Sequence, residues 1–148
     1  MIEHYYKLNR GNMKTKTIIL AGIAAGIFWI AADFIGHGII IGEDYAELGN
    51  QGIINKDPSF PFMPFLLIAN LLLCIGISWV QAAITPALGF NIMTSLKLGV
   101  MVFLILIPAN LSMMAWQKYP GHIFMASFII AFIQSIGAAV ITGLFHKE

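Results

Sequence analysis

An all-α integral membrane bundle of four helices, with N- and C-termini cytoplasmic, is the fold this sequence predicts. Three observations carry that expectation: an excess of apolar residues, four long apolar runs separated by turn-forming residues, and a lopsided distribution of lysine and arginine. Of the 148 residues, 59% are hydrophobic and only 10% are charged, with a mean hydropathy of +0.84. A water-soluble domain carries charge on roughly a quarter of its residues. The deficit points to a chain whose solvent is mostly lipid, so the bilayer is its first partner.

A helix needs about 20 apolar residues to cross the hydrocarbon core. Four stretches reach that length, at about 17–42, 62–82, 96–116 and 123–145. Asp57-Pro58 and Pro61 precede the second, Thr85-Pro86 and Gly89 follow it, and Pro120-Gly121 separates the third from the fourth. The segment from Ile84 to Ser95 is itself apolar, which leaves the start of the third span open by several residues. In lipid every backbone polar group must be satisfied internally, so long uniform runs of this kind read as helices. The first run is too long for a signal-peptide core, since sixteen uncharged residues from Thr17 to Ala32 are followed by more apolar sequence. It reads as a retained span.

Lys7, Arg10, Lys14 and Lys16 precede the first span, Lys97 lies near the second connection and Lys147 follows the last. The opposite side holds only Lys56 and Lys118. By the positive-inside rule this bias puts both termini in the cytoplasm. The chain then reads as a single four-span domain, 1–148, with a basic tail at 1–16 and an external loop at 43–61. That loop carries Glu43, Asp44, Glu47 and Asp57, and Trp116 and Tyr119 fall where aromatic residues anchor at an interface. Met13 opens "MKTKTIIL", itself a plausible start.

Several function classes find no support. Net charge is +1 and the basic residues sit mainly near one terminus, so there is no nucleic-acid footprint. Cys74 is the only cysteine, which excludes an intramolecular disulfide, a CxxC redox pair or a cysteine-built metal site. There is no Walker motif, no GxSxG, and no GxGxxG after a strand. The chain is expected to be non-enzymatic, with no catalytic residue assigned.

Helices in lipid gain little from hydrophobic association, so small residues that allow close approach mark the contact faces. In the last span Ser127, Ala131, Ser135, Ala139 and Gly143 recur every four residues and form one ridge. The first span holds a GxxxG, Gly22 and Gly26, suited to packing within the chain or to dimerisation between chains. Pro108 lies inside the third span and removes one backbone donor, which favours a kink.

The candidate intramembrane polar site is Asp33, His37, Asn70 and Asn110. At about 1.5 Å of rise per residue, Asp33 lies about 13 Å below Gly42, Asn70 about 12 Å into its span and Asn110 about 9 Å before Trp116. That places them in one layer of the outer leaflet. His37 shares the Asp33 face, being four residues on. Gln134 falls deeper, and Ser78 and Gln81 extend the Asn70 face toward the cytoplasm. An ionised Asp in hydrocarbon costs about 2.5–3.5 kcal/mol, so Asp33 needs a partner, a proton or water. The layer is therefore either a buried hydrogen-bond cluster fixing helix register or a cavity that binds a proton, cation or small polar ligand. Zinc on His37, His122 and a loop carboxylate lacks any HxxxH or HExxH spacing, and a bis-histidine haem needs His37 and His122 opposed across the ring. No metal and no cofactor are expected. His4 and His146 fall in the tails and carry no assignment.

The segment "DFIGHGIIIGEDY", Asp33 to Tyr45, resembles one in small bacterial inner-membrane proteins of uncharacterised function. Those proteins share an Asp-Phe-x-x-His-Gly run that ends the first helix, then an Asp-Tyr. The likeness implies a bacterial inner (cytoplasmic) membrane and the same four-helix architecture, and it supplies no activity. The expected role is a membrane component, an accessory or assembly subunit, alone or with a membrane partner protein. The alternative is a homo-oligomeric transporter or channel for protons, cations or a small solute, using Asp33 and His37.

Overall fold

The computed structural model describes residues 15–54, 62–116 and 120–147. The basic tail before Thr15, the loop after Ile54 and the expected interface anchor Tyr119 lie outside the described residues. Helix α1 spans Thr15–Asp33 and continues without a break as a π-helical segment, Phe34–Ile40. Helices α2 (Gly42–Asn50), α3 (Phe62–Leu88), α4 (Ile92–Trp116) and α5 (Gly121–Phe145) follow. Among the described residues four helices are long and apolar enough to cross a membrane.

The helix ends follow local chemistry that shifts them from the expected bounds. Helix α3 runs past Ala82 to Leu88 with Pro86 inside it. Pro86 has no N–H to donate to the Ala82 carbonyl, a loss of one bond near the helix end, and the Thr85 hydroxyl donates to the Gln81 carbonyl at 2.7 Å. Gly89 then ends the helix, with φ of 71° and its N–H on the Thr85 carbonyl at 2.9 Å. The left-handed conformation there suits glycine. Helix α4 starts at Ile92 because the Asn91 side chain accepts the Thr94 N–H at 2.8 Å, an N-cap. It remains helical through Pro108.

Glycines set the register between helices. A Cβ at Gly22 would lie 2.6 Å from the Ile75 Cα, and one at Gly26 would lie 2.6 Å from a Leu71 methyl. The GxxxG therefore packs on α3 of the same chain, antiparallel to α1. Along α5, Gly137 abuts Phe28, and Ile130 abuts Gly36 of the π segment. On its other side α5 meets α4: Gly143 abuts Ser95, Ile136 abuts Gly99, and Phe132 packs edge-on against Phe103 at 5.2 Å. Ser135, Ala139 and Gly143 of the small-residue ridge are buried, and Ser127 and Ala131 are half-buried. Ser127 and Ser135 bond back to carbonyls of their own helix, which hides their polarity. Helix α5 is thus the centre of the bundle, in contact with α1, α3 and α4, while α3 and α4 touch each other little.

These pairings put the start of α1, the α3–α4 turn and the end of α5 at one end of the bundle, the terminal end. The other end carries α2. Between them lies an apolar core of Ala25, Trp29, Cys74, Ile77, Leu98, Val102, Ala138 and Ala139.

Candidate functional site

Asp33 is the last residue of α1 and His37 sits one turn on, in the π segment. The widened turn is closed by the Ile41 N–H on the Gly36 carbonyl at 3.2 Å, an i to i+5 bond. Such segments recur at functional positions. His37 Nδ1 lies 3.0 Å from Asp33 Oδ1, with each side chain about a third exposed, at 30% and 31%. The ring does not aim its nitrogen along a hydrogen-bond direction: Nδ1 is buried and makes no aligned bond. The contact is close in charge terms and unsatisfied in directional terms.

The partner that reaches Asp33 directly comes from α5. Gln134, only 3% exposed, donates from Nε2 to Asp33 Oδ1 at 3.2 Å and to the Trp29 carbonyl at 3.1 Å. One amide therefore ties the last two turns of α1 to the middle of α5. At the α2 end His122 of α5 lies 3.1 Å from Asp44 of α2. The Tyr45 ring stands 5.9 Å from that of His37, tilted by 41°. Ile41 and Leu48 pack with Ile123 and Ile130 beneath α2. The site at this end is thus Asp33, His37 and Gln134, with α2 lying against it.

Asn70 and Asn110 stand apart from it. Leu71 faces Gly26, so Asn70 is level with Ile27, six residues from Asp33, or about 9 Å toward the terminal end. Phe103 meets Phe132 near the Asp33 level, and Asn110 is seven residues beyond, or about 10 Å the other way. Its amide donates to the Leu106 carbonyl of its own helix at 3.0 Å. The expected single layer is in fact spread over about 20 Å. Counting each residue from the end of its own helix fails here because the helices enter the bundle at different heights: Asp33 is level with the first turn of α3.

A second polar group, at the terminal end, is more deeply buried than the first. Ser78, Gln81, Ser95 and Thr142 are each 0% exposed. Ser95 donates to Gln81 Oε1 at 3.4 Å, and Gln81 Nε2 donates to the Thr85 hydroxyl at 3.2 Å. His146, read from the sequence as an idle tail residue, closes this group with Nε2 3.2 Å from the Ser78 hydroxyl. Burial pushes its imidazole below the ordinary range. Lys147 lies 5.3 Å over the Phe90 ring beside it. Among the described residues no three His, Cys, Asp or Glu side chains gather as metal ligands. His37 and His122 each stand beside a separate aspartate.

No family model, no curated protein and no solved structure matches this chain.

Proposed function

We propose that this chain is a non-enzymatic component of a membrane, an accessory or assembly subunit, in which the Asp33 cluster locks the first span to the last. The observation that carries the reading is the Gln134 amide shared between the Trp29 carbonyl and the Asp33 carboxylate. It engages the Asp33 carboxylate and the Trp29 carbonyl in contacts within the chain. The GxxxG is likewise occupied by α3, so assembly with a membrane partner protein or with further copies would use another face. The lysine and arginine bias supports cytoplasmic termini, and the resemblance of the Asp33–Tyr45 segment supports a bacterial inner membrane. Asp33→Asn keeps the shape and removes the charge. With a structural lock, this change lowers the amount of folded protein in the membrane and produces no separate defect.

A second reading is a proton, cation or small-solute site on Asp33 and His37. It is favoured by their partial exposure and by the unaligned Nδ1 contact. Here Asp33→Asn leaves the protein abundant and abolishes pH- or ion-dependent behaviour. Four helices seldom enclose a transport path alone, so crosslinking in native membranes should also reveal a defined homo-oligomer. A strict monomer would sink this reading.

A further inference from the structure

We propose that this chain pairs with a second copy of itself along the groove between α3 and α4, the Asn70 amides of the two copies bonding to each other. This names the face for the assembly reading above and rests on that reading. The observation behind it is Asn70 itself, which is half-buried and makes no hydrogen bond among the described residues. It is level with Ile27, midway along the first span, Thr15–Ile40. An amide there holds donors and an acceptor at the middle of the bilayer, where lipid tails satisfy neither.

The helix turn sets the direction of Asn70. Leu71 and Ile75 face α1. Ile77 and Gln81 lie within about 20° of Asn70 around the helix axis. Ile77 packs in the core with Leu98 and Val102, and Gln81 accepts the Ser95 hydroxyl, so this side of α3 looks toward α4. Helix α4 does not answer Asn70. The two helices touch little, and among the described residues their one side-chain hydrogen bond, Ser95 to Gln81, lies near the shared turn. The lips of the groove are apolar, with Leu66 48% and Ile105 65% exposed.

Two features make the occupant a second copy. From Phe65 to Ile68 every side chain of α3 is between 38% and 61% exposed, and Ala69 is exposed as well. That is more than one full turn, so this part of α3 is uncovered on all sides and is free to fill another copy's groove. Copies in one membrane also share their orientation. A two-fold axis then stands along the membrane normal and sets Asn70 at the same depth in both. An amide donates and accepts at once, so the pair satisfies itself, as polar side chains do between membrane helices. The GxxxG offers no such face, since α3 already covers it.

The test uses the full chain with Cys74→Ala in dilute lipid vesicles, one dye per chain on Trp116→Cys, an exposed position. Counting photobleaching steps gives the oligomeric state, and the expected result is two-step spots. In undyed protein, Leu66→Cys should form a disulfide-linked dimer on oxidation, whereas Leu20→Cys, equally exposed on α1, should not. Asn70→Leu should weaken dimerisation about 3-fold to 30-fold, the worth of one polar contact between membrane helices. Asn70→Gln keeps the amide and should retain the dimer. Single-step spots with Asn70 intact, an equally strong dimer in Asn70→Leu, or crosslinking through Leu20→Cys overturns the proposal. A monomeric chain that co-purifies with a different membrane protein would remove this pairing and leave the assembly reading standing.

Discussion

Asp33 and Gln134, separated by 101 positions, meet at 3.2 Å, the amide buried and the carboxylate partly exposed. That one contact joins the end of α1 to the middle of α5, and Gln134 holds the Trp29 carbonyl as well. Replacing Gln134 with leucine leaves a carboxylate oxygen and a carbonyl without their donor, which should cost about 1–3 kcal/mol. Asn110→Leu removes only a bond within one helix and should stay within about 0.5 kcal/mol. Unfolding of the two variants in mixed micelles, compared with wild type, checks the difference.

Glycines divide into those that carry the register and those that do not. Gly22→Ala drives a methyl into the Ile75 backbone and should cost about 1–3 kcal/mol through overpacking. A Cβ at Gly76 meets open space, so Gly76→Ala should be neutral or gain up to about 1 kcal/mol in helix propensity. Thermal melts of both variants in the same lipid decide it; equal losses would show the α1–α3 register to be wrong.

The terminal end of the bundle should respond to acid through His146. His146 has its imidazole pushed below the ordinary range by burial, so the folded chain binds its proton less readily than the unfolded one. Its contribution is then complete above the ordinary histidine range and is lost as pH falls through the depressed value. Protection of the amides in the last turn of α5, where the His146 N–H bonds the Gly143 carbonyl, should fall on acidification once the slower intrinsic exchange in acid is divided out. His146→Gln should flatten that pH dependence; an unchanged profile would show that the Ser78 contact does not hold the turn.

Cys74 is fully buried in the apolar core. A maleimide added to the folded protein should leave it unlabelled, and labelling should appear only with unfolding. Rapid labelling of the folded protein would mean that the core between Trp29 and Val102 is open.

Much of the fold is legible in the sequence because lipid imposes few solutions: long apolar runs must be helices, and the turn residues Gly89 and Pro120 punctuate them. Helix ends are less so. Pro86 reads as a stop, yet the Thr85 hydroxyl and one turn of remaining backbone carry α3 past it. The π segment leaves no periodic signature, since an extra residue in one turn is a matter of packing against Ile130. Helix α2 does carry one in Ile41, Tyr45 and Leu48, short and set in an acidic stretch that reads as a loop. Asp33 and His37 stand out as polar residues in an apolar run. Their partner Gln134 does not, because helix offsets, which decide who meets whom, come from where Gly22, Gly26 and Gly137 let the backbones approach.

The central claim, that Asp33 and Gln134 lock the first span to the last, is tested most directly by a double-mutant cycle. Unfolding free energies are measured in bilayers for wild type, Asp33→Asn, Gln134→Leu and the double variant. The account predicts a coupling of about 0.6–2 kcal/mol, the range of polar contacts between membrane helices. Additive losses, with no coupling between the two residues, would contradict it.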